Sequence, residues 1–238
     1  MLQAMPIETL FLDAGGVLVF PNWTRVSDTL ARHGVHVDAS TLAAADPRAK
    51  QRLDLGDTIQ ATNDSERGWL YFNLVLTEAG VPLSHRTRAA LDELHEYHMA
   101  SNVWETVPHD VPPTLERLRA SGLRLVVVSN ANGTLHTVFG RLGLASRVDV
   151  MLDSYNEGVE KPDPRLFDLA LARAGARRET TVHVGDLYHV DVVGARAAGL
   201  RAVLLDPAGL YDAYDCARVR TLDELADRLA DDEFIRTC

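Results

Sequence analysis

The chain has 238 residues, 46% of them hydrophobic and 24% charged, which suits one large globular domain or a core with a smaller inserted unit. Its formal net charge of −10 argues against nucleic acid or an anionic membrane as the main partner. It does not exclude a small anionic ligand, because a metal ion and a few local donors set the sign of a single pocket.

The opening segment MLQAMPIETLFLD lacks a basic stretch followed by a long apolar one, so it does not read as a signal peptide. No run approaches the ~18 apolar residues of a membrane span. The first strand is expected over IETLFLD, 7–13. The interval from about 20 to 108 then carries no clear strand and reads as an inserted helical unit. Helical stretches are expected around 23–33, 64–79 and 85–100, with Trp23, Trp69, Phe72, Leu91, Leu94 and Trp104 as core. Turn-rich TVPHDVPP, 106–113, reads as the return linker.

From there short apolar runs alternate with amphipathic ones. Strands are expected over LRLVVVS (123–129), VDVMLDS (148–154), TVHVGD (181–186) and RAVLLD (201–206). Helices are expected over 112–121, 134–143, 164–174 and 189–198, and TLDELADRL (221–229) reads as a helix closing the core. Near-continuous apolarity suits strands covered on both faces, and the alternation predicts an α/β fold with a parallel sheet wrapped by helices. The two cysteines, Cys216 and Cys238, are remote from each other and from any histidine cluster. Neither a disulfide framework nor a zinc site is expected, and a reducing cytoplasm is the expected location.

In a parallel sheet, ligands bind beyond the carboxyl ends of the strands. The first strand ends at Asp13, the second at Ser129-Asn130 and the fourth at Gly185-Asp186, while Lys161 lies in the loop GVEKPDP after the third. Singly, each has an ordinary explanation: a turn cap, a helix cap, a solvated surface charge, an acid at a helix start. Together, in order and at matching strand ends, they point to one site. Two acids at neighbouring strand ends need a cation between them, and carboxylates with a carbonyl and waters suit Mg²⁺. Ser129, main-chain N–H groups of the Asn130–Gly133 turn and the Lys161 ammonium are placed to hold a phosphoryl group. A carboxylate facing a metal-bound phosphate is placed to attack phosphorus, which makes Asp13 the candidate nucleophile.

On these residues the chain resembles the haloacid dehalogenase superfamily, over most of its length. FLDAGGVLV is similar to the first motif, VVVSNANG to the second, EKPDPRLF to the third and HVGDLYHVDVVGARAAGL to the fourth. The resemblance implies a Rossmann-like three-layer core, residues 1–19 and 108–238, and a helical cap inserted after the first motif, residues 20–107. It implies Asp13 as nucleophile and metal ligand, Ser129 and Asn130 at the phosphoryl group, and Lys161 offsetting charge on both. Asp186 and the carbonyl of Gly15 would ligate Mg²⁺, with Asp191 supporting the metal or Lys161. A phosphatase acting on a small phosphorylated metabolite is the implied activity, and the Gly185-Asp186 pair disfavours dehalogenation.

The departure from the pattern is Gly15. Phosphatases of this family carry a second aspartate there, which protonates the leaving oxygen and then activates water. Glycine keeps the carbonyl and loses the acid, a change worth roughly 10² to 10⁴ in rate. Three readings follow. A phosphatase would use solvent, His189 or a cap residue for proton transfer and favour good leaving groups. A phosphonatase-like enzyme would use Lys50, the one lysine of the cap, although that branch carries arginine where Lys161 stands. A catalytically weak protein would keep the fold to bind a phosphorylated ligand or partner. Substrate choice is expected to lie with the cap, where Asn22 and Arg25 are candidates for the entrance and Trp23 for the core.

Overall fold

The computed structural model describes residues 6–229, 231 and 234. The opening residues of the N-terminal segment and Cys238 lie outside the described residues, and Cys216 is a half-buried free thiol. The chain separates into two compact units, Met1–Val19 with Val107–Cys238, and Phe20–Thr106.

In chain order, β1 (Thr9–Leu12) is followed by the second unit: β2 (Phe20–Pro21), α1 (Trp23–Arg32), α2 (Ala39–Leu53), α3 (Gly56–Ala61), α4 (Asp64–Glu78), α5 (His85–Ser101) and β3 (Trp104–Thr106). The first unit resumes with α6 (Val111–Ala120), β4 (Arg124–Ser129), α7 (Leu135–Arg141), β5 (Val150–Asp153), α8 (Ser154–Glu157) and α9 (Pro164–Ala174). It ends with β6 (Thr181–Gly185), a π-helical turn (Tyr188–Val192), α10 (Val193–Ala197), β7 (Arg201–Leu205), β8 (Ala217–Val219) and α11 (Leu222–Arg228).

The first unit is a six-stranded sheet in the order β5-β4-β1-β6-β7-β8, with every neighbouring pair parallel. Its apolar strands are buried on both faces, as their composition requires. Phe11, Val126, Val128, Leu152, Ala202 and Leu204 pack with Leu166 and Phe167 of α9, while the alternate residues Leu10, Leu12, Leu125, Val127 and Val203 are equally buried. This is the Rossmann-like α/β core. The helix α9 occupies the expected span because local signals bracket it. The Asp163 side chain accepts the Arg165 N–H at 2.9 Å, Pro164 starts the helix, and Gly175 ends it at φ 59°.

Register aligns the strand ends. Phe11 lies opposite both Val126 and His183, Leu12 opposite both Val127 and Val184, and Ser129 opposite Asp153. The Asp13 N–H continues the ladder to the Val184 carbonyl at 2.9 Å. Asp13, Ser129, Asp153 and Gly185 therefore finish along one edge of the sheet.

The second unit packs α1, α2, α4 and α5 around a core that includes Leu30, Leu42, Phe72, Leu91 and Leu94, with Trp23, Trp69 and Trp104 partly buried against it. Four features depart from expectation. Helices α2 and α3 were not anticipated, because Pro47 lies inside α2; that helix forms regardless, burying Leu42, Ala45, Ala49 and Leu53 on one face. The interval is not free of strands: β2 and β3 pair as an antiparallel ribbon, with Pro21 opposite Trp104. Two prolines of the expected linker, Pro112 and Pro113, instead sit in the first turn of α6, where a missing N–H costs nothing. Strand β8 is the fourth. Among the described residues no helix is long and apolar enough to cross a membrane.

At the end of α5, Asn102 takes φ 70° and the following Val103 N–H donates to Nδ1 of His98 at 3.3 Å. Burial, aided by His95, holds the His98 imidazole at about 4 against its ordinary 6.5. A value depressed by folding contributes stability that is present above the unfolded value and lost as pH falls through that window. Between pH 6.5 and 5 the thermal midpoint of the native chain should therefore fall more, or rise less, than that of His98→Gln, which lacks this contribution to the limb. An unchanged limb in the variant would count against this assignment.

Candidate active site

The aligned strand ends bring the sequence-predicted residues together. Carboxylate oxygens of Asp13, Asp186 and Asp191 lie within 4.8 Å of one another. The Lys161 ammonium, wholly removed from solvent, stands 3.1 Å from Oδ1 of Asp13 and 2.7 Å from Oδ1 of Asp191. Ser129 is buried at the end of β4, and its hydroxyl donates to the Asn130 carbonyl at 3.3 Å. The loop after β5 delivers Lys161, and the π-helical turn after β6 carries Asp191 back towards the strand end.

Charge within this group is unbalanced. Three carboxylates face one ammonium. Burial pushes Asp13 up to about 7; Lys161 pulls the other way, while Asp191 and Asp186 add to the rise. For Lys161, burial opposes the charge, but Asp13 and Asp191 outweigh it and push the ammonium up to about 12. Asp191 is held well below the usual carboxylate range: Lys161 and His183 overcome its burial. The group is thus anionic and built from oxygen donors, which fits a hard divalent cation such as Mg²⁺.

Hydrogen bonding separates the three acids. Asp191 has all its acceptor capacity in use: Oδ1 takes the Lys161 ammonium and Nε2 of His183 at 2.9 Å, and Oδ2 takes the N–H groups of Asp186 at 3.2 Å and Leu187 at 3.0 Å. It is an anchor for Lys161 rather than an open ligand. Asp13 has Oδ1 fixed by the Ala14 N–H at 2.7 Å and by Lys161. In the loop beyond it, the Ala14 carbonyl accepts from Leu18 and Val19, and the Gly16 N–H donates to Val19. Gly16 takes φ 74° and needs to be glycine, whereas Gly15 is not among the left-handed glycines.

Several contacts were not foreseen. The Asn130 carboxamide clamps the Lys161 main chain, accepting its N–H at 2.8 Å and donating to its carbonyl at 3.0 Å. The Ala131 and Gly133 N–H groups of the turn are already committed, to Ser154 Oγ at 3.1 Å and Asp153 Oδ1 at 3.2 Å. His183 and Asp153 are buried polar groups that the strand-end pattern does not single out; the signal for His183 was a histidine inside the apolar run TVHVGD. In the helical unit, Lys50 pairs with Asp46 at 3.3 Å and sits 5.6 Å from the Phe20 ring centroid. Asn22 and Arg25 both donate to Glu105, at 3.0 and 2.7 Å. His189 packs edge-on against Tyr188 at 5.1 Å.

Two glycines make room for this arrangement. A methyl group on Gly185 would overlap the Asp191 carboxyl carbon, and one on Gly194 would come within 2.9 Å of Pro162 Cα, beside Lys161. Gly185→Ala should cost about 2 kcal/mol or more in denaturant unfolding, the scale of core overpacking. Gly140→Ala, where nothing lies within 4 Å, provides the control. Equal stability of the two variants would show that Asp191 does not need this space.

A family profile for haloacid dehalogenase-like hydrolases matches residues 7–199. The mouse haloacid dehalogenase-like hydrolase domain-containing protein 3 is 36% identical over 127 residues, 53% of this chain and 50% of that protein. A ribulose-1,5-bisphosphate 5-phosphatase from Halopiger xanaduensis is 37% identical over 123 residues, 51% of this chain and 52% of its own length. The chain thus spans about half the length of these curated relatives. A solved phosphatase of the same superfamily from Thermococcus onnurineus is 25% identical with a TM-score of 0.58, over 94% of this chain and 98% of that one. The chain belongs to the haloacid dehalogenase-like hydrolases.

Proposed function

We propose that the protein is a Mg²⁺-dependent phosphatase of small phosphomonoesters that works through an aspartyl phosphate on Asp13. The observation that carries this reading is the convergence of Asp13 and Asp186 beside a buried lysine, with Ser129 at the adjoining strand end. The similarity to a sugar-bisphosphate phosphatase supports the substrate class. The helical unit, Phe20–Thr106, takes the role of the cap that selects among substrates.

Asp13, Asp186 and the main-chain carbonyl of Gly15 would hold the cation. When bound, Mg²⁺ supplies charge neutralisation to the phosphoryl oxygens. Ser129 donates its hydroxyl to a phosphoryl oxygen. Lys161 offsets the charge of the Asp13 carboxylate and of the incoming phosphate, and Asn130 and Asp191 fix its two ends. Asp13 attacks phosphorus, forming a carboxyl oxygen–phosphorus bond as the bond to the leaving oxygen breaks. Water then attacks the same phosphorus, releasing phosphate and restoring the carboxylate.

Position 15 offers no carboxyl group to protonate the leaving oxygen. An aryloxide departs without that proton, whereas an alkoxide needs it. In the presence of Mg²⁺, kcat/KM for p-nitrophenyl phosphate should exceed that for glycerol or sugar phosphates by about 10² or more. Chelation of the metal and Asp13→Asn should each abolish turnover. Undiminished turnover by Asp13→Asn would remove the covalent route, and equal rates on alkyl phosphates would show that another acid replaces the missing one.

A further inference from the structure

We propose that His183 is a positioning residue that holds Asp191, and through it Lys161, in line with Asp13. Its catalytic consequence rests on the phosphatase reading; its structural consequence does not.

His183 occupies the middle of β6, fully buried, with Phe11 beside it on β1 and the Phe167 ring edge-on at 4.9 Å. Leucine or valine would suit such surroundings, and a buried imidazole is costly unless hydrogen-bonded. Its Nε2 lies 2.9 Å from Oδ1 of Asp191. A carboxylate only accepts, so the ring proton is on Nε2. Nδ1 has no hydrogen-bond partner among the described residues, which leaves the bond to Asp191 as the one the ring makes there.

The geometry gives this bond a specific task. Oδ2 of Asp191 is tied to two main-chain N–H groups of the strand-to-helix turn, whereas Oδ1 is shared by His183 and the Lys161 ammonium. Lys161 also has Asp13 within reach, at 3.1 Å. Without His183, the lysine would be the sole side-chain partner of Oδ1, and the balance of Lys161 between its two carboxylates would shift. A merely space-filling role predicts the opposite: His183→Leu would be harmless or stabilising, because an apolar side chain replaces a buried polar one.

The sequence offers a clean readout, since Lys50 and Lys161 are its two lysines. The 238-residue chain labelled with ¹⁵N-lysine should give one ammonium resonance for each, assigned with Lys50→Arg. His183→Leu should displace or broaden the Lys161 resonance and leave that of Lys50 in place. It should also lower kcat on p-nitrophenyl phosphate about tenfold with KM within about twofold. His183→Gln, whose amide nitrogen reaches as far as Nε2, should recover both properties, and His183→Asn, too short to reach, should not. An unmoved Lys161 resonance with native kcat in His183→Leu overturns the proposal. Should that variant fail to fold, identical behaviour of the Gln and Asn variants overturns it. If the native chain hydrolyses no phosphate ester, the functional reading fails, and the lysine spectra still decide the positioning role.

Discussion

An ammonium group taken wholly out of water sets the terms for the rest of this core. Removing Lys161 from solvent costs several kcal/mol, which contact with opposite charge and a full set of hydrogen bonds must offset. Asp191 and Asp13 provide the charge, at 2.7 and 3.1 Å. Asp191 is itself buried, and it is tolerated there because four donors surround it. The neighbouring structure follows from that requirement. Gly185 leaves space for the Asp191 carboxyl, Gly194 lets the Pro162 backbone approach α10, and Asn130 fixes the lysine main chain from the next strand end. What this assembly leaves unbalanced is negative charge at Asp13 and Asp186, the imbalance that a divalent cation relieves.

Much of this was legible in the sequence, and the reasons are physical. Strands buried on both faces must be apolar throughout, so β1, β4, β6 and β7 stood out, and in a parallel sheet their polar ends share one edge. Bracketing by Asp163-Pro164 and Gly175 placed α9 at its observed span. Illegible were elements whose signal is too short or contradicted. Strands β2, β3 and β8 have two or three residues each, too few for a periodicity, and Pro47 masks the apolar face of α2. The supporting contacts were equally hidden. Order along the chain says that Asn130 and Lys161 meet at one edge, but not that a carboxamide grips a main chain there. Likewise, Ser154 and Asp153 take two N–H groups of the turn that the sequence assigned to phosphate, because a loop needs its own bonds before it can serve a ligand.

Gly15 is the place where local structure and chemistry part. Its neighbour Gly16 has a backbone reason to be glycine, at φ 74°. Gly15 lacks that reason, and the loop's own bonds run through Ala14, Gly16 and Val19. No left-handed backbone bars a side chain at this position, and the absence of one changes what the site can do. A site that keeps its nucleophile, lysine and metal-compatible acids but has no acid at this position is restricted by the leaving group, not by phosphate binding.

The sharing of one cation by Asp13 and Asp186, with Asp191 held back as an anchor, is tested most directly by a crystal structure of the full chain grown with Mn²⁺ and by its anomalous density. The expected result is one peak bonded to a carboxylate oxygen of Asp13 and one of Asp186, with Asp191 still on Lys161 and His183. A peak elsewhere, direct ligation by Asp191, or no peak at saturating Mn²⁺ would contradict the proposed chemistry.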